Sequence, residues 1–425
     1  TPTPTPTYTQ TPTPPPRAPS TWYFAEGSTQ PGFTMYLLLE NPNAFPINAT
    51  VTYYRDSGIP LVKTYALRAA SRTNILVNVD VPNSAVSMKV ESENTLYAER
   101  AMYSRLDGTA SHGSGAPSRT WYFAEGATVA PYNTWLRLLN PNAISTRVTV
   151  TFLTESGAPV VRLYSIAPTT RLNVYANAIV PNAAIATTVV SDLPIVAERT
   201  MSFGTGSHGS TGVTQPGRIW YLAEGYTGGG FDTWILLANP GSSAAQATVT
   251  FLQDNGAQVT RTFTVAARAR LNVYATAIVP NAAFSTQVVS SQPIVVERAM
   301  YFGPANARGG HNSEAASAPA NEWHLAEGYT GGGFDTYILI MNPNDRAANV
   351  SVRFLREAAP AVTQSISVAP NSRYTIWVNP LYPGAAFSTV LSGDQPIVVE
   401  RAMYFNNFSG GTDALGVPAV GAAKK

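Results

Sequence analysis

The chain repeats itself four times, and that periodicity decides most of what it can fold into. A Trp opens each copy, as Trp22, Trp121, Trp220 and Trp323, at spacings of 99, 99 and 103 residues. Register holds inside the copies. An Asn-Pro pair begins 19 residues after the Trp, at Asn41, Asn140, Asn239 and Asn342. An Arg follows at 50, as Arg72, Arg171, Arg270 and Arg373, and a Glu-Arg pair begins at 77, as Glu99, Glu198, Glu297 and Glu400. The four extra residues before Trp323 fall between copies. A period this long, with constant internal spacing, marks a unit of domain size. The spacing predicts an arm over 1–20, repeats over 21–104, 120–203, 219–302 and 322–406, and a tail over 407–425 that resembles the connecting segments. Those segments, 105–119, 204–218 and 303–322, are rich in Gly, Ser, Ala and Pro and read as linkers that leave the angle between repeats open.

Each unit reads as β. In the third copy Ala247, Val249 and Phe251 alternate with Thr248 and Thr250, the period-2 pattern of a half-buried strand. Turn signals at Gly228-Gly229-Gly230, Asn239-Pro240-Gly241, Asp254-Asn255-Gly256, Pro280-Asn281 and Gln292-Pro293 divide the copy into seven strands: 220–224, 233–239, 246–253, 259–266, 270–276, 284–290 and 293–302. Seven short strands without a helical stretch predict an all-β chain of four tandem immunoglobulin-like antiparallel sandwiches. A small barrel is the alternative.

Trp-[Tyr/His]-[Phe/Leu]-Ala-Glu-Gly, then Asn-Pro, then Pro-Ile-Val-[Ala/Val]-Glu-Arg-[Ala/Thr]-Met resembles the β-sandwich repeats strung along large secreted bacterial surface proteins. The resemblance spans 21–406. It implies an exported tandem-repeat surface protein and brings no catalytic residues with it. The first copy departs from the pattern at Asn94-Thr-Leu-Tyr-Ala-Glu-Arg100, which lacks the Pro-Ile.

Composition narrows the classes further. Net charge is +2, without a Lys/Arg run, so no nucleic-acid footprint is present. Cysteine is absent, which excludes disulfides and thiolate chemistry. No apolar run approaches the roughly 20 residues of a membrane-spanning helix. The start at Thr1 instead of Met reads as a processed or truncated form. The Thr/Pro alternation of 1–16 favours an extended polyproline II arm. Thr1, Thr3, Thr5, Thr7, Thr9, Thr11 and Thr13 are candidate O-glycosylation sites of an extracellular stalk, and an inert linker is the plainer reading. The sequons at Asn48, Asn349 and Asn407 are not shared between copies and weigh little.

Three chemistries can be tested on the motif Trp220-Tyr-Leu-Ala-Glu-Gly-Tyr-Thr-Gly-Gly-Gly-Phe-Asp-Thr-Trp234. A phosphate loop needs a Lys after its glycines, whereas Asp232 follows these. The matching turns are Gln30-Pro31-Gly32 and Val129-Ala130-Pro131, so a tight turn is the common requirement. A calcium loop needs several alternating carboxylates, and Asp232 and Asp335 match Thr34 and Asn133. His112, His208 and His311 lie in the linkers, a poor mount for a general base, and His324 replaces a strand Tyr. No catalytic, cofactor or metal site is expected.

The paired acids read as structure. Strand parity turns Glu224 and Arg298 toward apolar surface, where an unpaired ion is costly. They are expected to meet within a repeat, as Glu26–Arg100, Glu125–Arg199, Glu224–Arg298 and Glu327–Arg401. The expected function is a non-catalytic extracellular subunit of a surface filament, stalk or lattice that self-associates through its arm, its four units reaching on the order of 100 Å end to end. The alternative is a carbohydrate- or cell-wall-binding array, with Tyr226 and Tyr329 as candidate sugar-stacking residues against surface glycans.

Overall fold

A computed structural model describes residues 19–419, apart from 57, 105, 304–307 and 358. The Thr/Pro arm, with its candidate glycosylation sites, and the end of the tail lie outside the described residues. Nearly all regular structure is antiparallel strand. In the first copy the strands are β1 (Ser20–Phe24), β2 (Thr34–Asn41), β3 (Ile47–Arg55), β4 (Leu61–Leu67), β5 (Ser71–Leu76), β6 (Val86–Ser92), β7 (Tyr97–Tyr103) and β8 (Gly108–His112). They form two four-stranded sheets, β1-β6-β3-β4 and β5-β2-β7-β8. That order differs from the ABED and CFG sheets of immunoglobulin constant domains. Along β3, Ile47, Ala49, Val51 and Tyr53 point into the core while Thr50 bonds Thr64 on the outside, the alternation expected of a sheet with one wet face. The sheets meet through Phe24, Leu37, Leu39, Val51, Met88 and Val90.

The repeated landmarks are fasteners within this unit. Each Trp is buried and donates its Nε1–H to a carbonyl 74 residues on, at Leu96 (2.6 Å), Ile195 (2.9 Å), Ile294 (2.9 Å) and Ile397 (2.8 Å). That bond ties the first strand of a copy to its last long strand, with the indole hydrogen satisfied inside the core. The Asn of Asn-Pro spreads its amide over two turns, as Asn41 does to the carbonyls of Phe45 (3.0 Å) and Arg68 (2.7 Å).

Two expectations are corrected. In copies two to four the last two expected strands are one, Ile185–Phe203, Phe284–Phe302 and Phe387–Phe405. Each passes from one sheet to the other at its Pro, where a missing N–H costs no ladder bond. The connecting segments are also strands. Counterparts of β8 run over Gly206–Thr211, Gly309–Glu314 and Gly410–Leu415, and the four pack side by side around a common axis, first to second, second to third, third to fourth and fourth to first. The copies therefore do not run end to end. They close into a ring with four seams, called here 1/2, 2/3, 3/4 and 4/1.

Candidate functional site: the seams and the axis

Every seam uses the same parts. The Arg of the Glu-Arg pair reaches the Glu of the next copy: Arg100–Glu198 (3.1 Å), Arg199–Glu297 (3.1 Å), Arg298–Glu400 and, closing the ring, Arg401–Glu99 (2.5 Å). The other carboxylate oxygen accepts the N–H of the motif Ala, from Ala25 to Glu198 (2.7 Å), Ala124 to Glu297 (2.7 Å), Ala223 to Glu400 (2.6 Å) and Ala326 to Glu99 (2.6 Å). Each Glu is thus held by a charge and a backbone donor of the preceding copy. Burial still pushes Glu198 and Glu297 above the usual carboxylate range, against the pull of Arg100 and Arg199.

A second Arg of each copy, 50 residues after its Trp, reaches back. Arg171, Arg270, Arg373 and Arg72 donate to the carbonyls of Gly27 (3.1 Å), Gly126 (2.7 Å), Gly225 (2.7 Å) and Gly328. The Gly of Ala-Glu-Gly is required by close approach: a Cβ on Gly27 would lie 2.4 Å from the Val86 carbonyl, and one on Gly328 2.3 Å from the Phe387 ring.

The pairing expected inside each repeat is corrected accordingly. Among the described residues it is present as an ion pair at Glu327–Arg401 (3.4 Å), and Arg401 bonds Glu99 as well. Glu26 instead bonds Arg137 (2.6 Å) and Thr200 (2.5 Å), and Glu224 bonds Arg373 (3.5 Å) and the Tyr404 hydroxyl (3.2 Å). Glu125 caps the Gly126 N–H (3.0 Å) beside Arg270 and Tyr301. Arg298 and Arg401 do reach the motif of their own copy, but at the backbone carbonyls of Glu224 and Glu327 (both 3.2 Å). Strand parity names the face a side chain occupies; it does not name the neighbour that covers the face. For Glu26, burial works against ionisation, yet Arg137, Arg171 and Arg100 outweigh it and hold the carboxyl down at about 2.

Three seams carry clefts of unequal size, about 660 Å³ at 3/4, 490 Å³ at 4/1 and 240 Å³ at 2/3. Side chains explain the order. At 2/3, Arg308 pairs with Asp232 and lines the cleft, and at 1/2 Arg137 reaches Glu26. The 3/4 cleft has Tyr226, Phe231, Tyr337, Tyr404 and Phe408 around Glu224 and Arg373. Tyr329 and Phe334 line the 4/1 cleft beside Glu327 and Arg72. The triple glycine acquires a purpose here. A Cβ on Gly228 would sit 2.5 Å from the Tyr226 hydroxyl, and one on Gly331 2.5 Å from that of Tyr329, so each ring lies over its own glycine turn. Copies with Ser28 or Ala127 in place of the Tyr have no ring to seat and use Pro turns.

The axis holds what sequence reasoning missed. Asp107 is fully buried, and its carboxylate accepts the N–H groups of Gly108 (2.9 Å), Ser207 (2.8 Å) and Gly411 (2.8 Å), with that of Gly310 also bonded. One acid thereby serves all four copies. Burial pushes it up to about 8, only partly offset by the four donors. Matching residues in the other copies are Gly206, Gly309 and Gly410, where a Cβ would lie 2.5 Å from a carbonyl. The histidines read as linker residues are mounted on these axial strands. His112 pairs across the axis with Glu314 (2.6 Å), which overcomes desolvation and raises it to about 9. Nε2 of His208 approaches the Tyr301 hydroxyl at 3.4 Å, and that of His311 approaches Tyr404 at 3.0 Å. No group of three metal-ligating side chains occurs among the described residues, and no helix among them is long and apolar enough to cross a membrane.

No protein-family profile matches the chain, and no curated protein sequence matches it. Solved structures give limited likenesses. Thermotoga maritima 1070 is 18% identical over 23% of this chain and 94% of its own, with a TM-score of 0.21. The Anabaena sensory rhodopsin transducer is 19% identical over 20% of this chain and 87% of its own, with a TM-score of 0.18. A tetra-tandem repeat from the extending region of a large adhesion protein is 12% identical over 95% of this chain and all of its own, with a TM-score of 0.11. That last match is a weak likeness to a tandem-repeat adhesion fragment, and none of these TM-scores bears an argument about function.

Proposed function

We propose that the chain is a non-catalytic extracellular structural repeat protein, a ring-shaped unit of a surface filament, stalk or lattice. Its four sandwich domains fall near 21–104, 120–203, 219–302 and 322–406, each extended by its axial strand. The carrying observation is where the repeated charges go. The Glu-Arg pair and the Arg 50 residues after the Trp, present in all four copies, are buried and bonded across seams, so these repeated charges build geometry. In this reading the arm over 1–20 joins one ring to another by adding to an exposed sheet edge, such as β4, whose outer residues are solvated. Electron microscopy of native material should show polymers of compact units, and deleting 1–20 should leave single rings. Polymers unaffected by the deletion refute the role of the arm; native material that never assembles refutes the structural reading.

A second reading, saccharide recognition, is favoured by the 3/4 cleft. Aromatic rings beside a carboxylate and a guanidinium offer stacking faces and hydroxyl partners in one concave site. Tyr226 is 37% exposed. Glycan-array binding that is lost in Tyr226→Ala and Tyr337→Ala would support this reading; binding unchanged in both variants would remove it.

A further inference from the structure

Three residues that break the repeat pattern, far apart in sequence, meet at one seam. Where three copies have Tyr23, Tyr122 and Tyr221, the fourth has His324. Where three have Leu139, Ala238 and Met341, the first has Glu40. Where three have Val196, Val295 and Val398, the first has Tyr97. At the seams between consecutive copies these positions make ordinary apolar contacts: Tyr122 packs into the cluster that holds Ala238, and Tyr221 into the one that holds Met341. At 4/1, the seam between the first copy and the last, Nδ1 of His324 meets Oε1 of Glu40 at 2.7 Å. The imidazole stacks on Tyr97, ring centroids 3.7 Å apart and 10° from parallel. Its Nε2 lies 3.1 Å from Glu322, on its own strand. His324 and Glu40 are sealed from solvent, and Oε2 of Glu40 is buried without a hydrogen-bond partner.

We propose that this triad is the proton-dependent closure of the ring: His324, Glu40 and Tyr97 hold copy four to copy one while a proton resides between imidazole and carboxylate, and the seam loosens when it leaves. The charged groups on the elements around the pair are Glu322 from the His324 strand, Glu99 on β7, itself engaged with Arg401, and Arg72, opposite Glu40 on β5, whose guanidinium is spent on the carbonyls of Gly328 and Phe387. With the proton gone, Glu40 is a buried anion beside two further carboxylates and has lost its cation, an arrangement that costs far more than an exposed one. The titration directions agree. Burial pulls His324 down, but Glu40 and Glu322 raise it overall; Glu40 is raised by burial despite His324. Both groups bind protons more tightly in the closed seam than in an open one. The stabilisation is therefore full at low pH and is lost as pH rises through the closed-state values, tenfold for each unit of difference. The inference rests on the seam geometry and is independent of the function proposed above.

Hydrogen exchange on the full chain tests it, read by mass spectrometry from pH 5 to pH 9 and corrected for intrinsic rates. Peptides covering 36–41 and 322–326 should lose protection about tenfold or more relative to the 3/4 peptides covering 219–223 and 338–342. The variant H324Y/E40M/Y97V, which installs the residues of seam 3/4, should abolish that difference. So should Glu40→Gln, which removes the buried charge and decides the matter if the triple variant does not fold. A wild-type ratio that stays constant with pH, or a fall that persists unchanged in either variant, overturns the proposal.

Discussion

At the scale of single residues, the seams rest on ions that are out of water, and such ions have an asymmetric energetics. Removing one partner leaves the other charged and dry, which costs about 3–5 kcal/mol, whereas replacing both with apolar groups of similar size is often nearly neutral. Arg199→Leu should therefore destabilise the protein by about 3–5 kcal/mol in denaturant unfolding, and adding Glu297→Leu should recover a large part of the loss. Glu26 offers the complementary acid test. Its carboxyl sits at about 2 in the folded chain, below the ordinary 4.5, so its contribution is present above 4.5 and disappears as pH falls through about 2. The stability gap between wild type and Glu26→Gln should shrink by about 3 kcal/mol across that window. A gap that does not change with pH would place the ionisation of Glu26 outside the seam's energetics. Gly328 has no room for a methyl, its Cβ falling on the Phe387 ring, so Gly328→Ala should cost more than the about 1 kcal/mol of a typical substitution and should loosen seam 4/1 first.

At the scale of elements, the strands were legible because the alternation of Val, Phe and Thr is set by one buried and one wet face, and Gln246-Ala-Thr-Val-Thr-Phe-Leu-Gln253 shows both. The observed strand Ala245–Gln253 matches the reading of 246–253 to within one residue. The axial strands were illegible for the converse reason. Gly206-Ser-His-Gly-Ser-Thr211 has Thr211 as its one β-branched residue and no Val, Ile, Phe, Tyr or Trp, and it is a strand because other strands enclose it. A Cβ on Gly209 would lie 2.9 Å from the Arg199 carbonyl, so crowding selects the very composition that reads as a linker. The Glu and Arg of the seams were legible as buried, because parity fixes the face. Their partners were not, because they belong to another copy, and nothing in the spacing within a repeat points there. Tyr97 was visible only as a departure from pattern, in the same segment that lacks the Pro-Ile.

At the scale of the whole molecule, closure replaces extension. A compact body of about 400 residues has a radius of gyration of about 22 Å, whereas four units in a row, a rod on the order of 100 Å long, would have one of about 29 Å, its length over the square root of 12. Small-angle scattering from a chain lacking residues 1–18 should report the smaller value, and a rod-like profile would contradict the ring. Residues 213–217 carry the chain from copy two to copy three; in the matching place after copy four, Val417 and Pro418 pair with the first strand of copy four while Val417 packs into the core of copy one. A circular permutant opened between Pro216 and Gly217, with its original ends joined by a few residues, should therefore fold to the same ring with a similar melting temperature.

Asp107 has a further consequence, which concerns interchangeability. Four amide hydrogens converge on one carboxylate, and that carboxylate comes from a single copy. Four identical subunits made of the first repeat would bring four acids to one point. Four made of any other repeat would leave the convergent hydrogens facing each other with no acceptor. The centre of the molecule is thus solvable only by a division of labour, and the covalent chain is what guarantees the one-to-three ratio it needs.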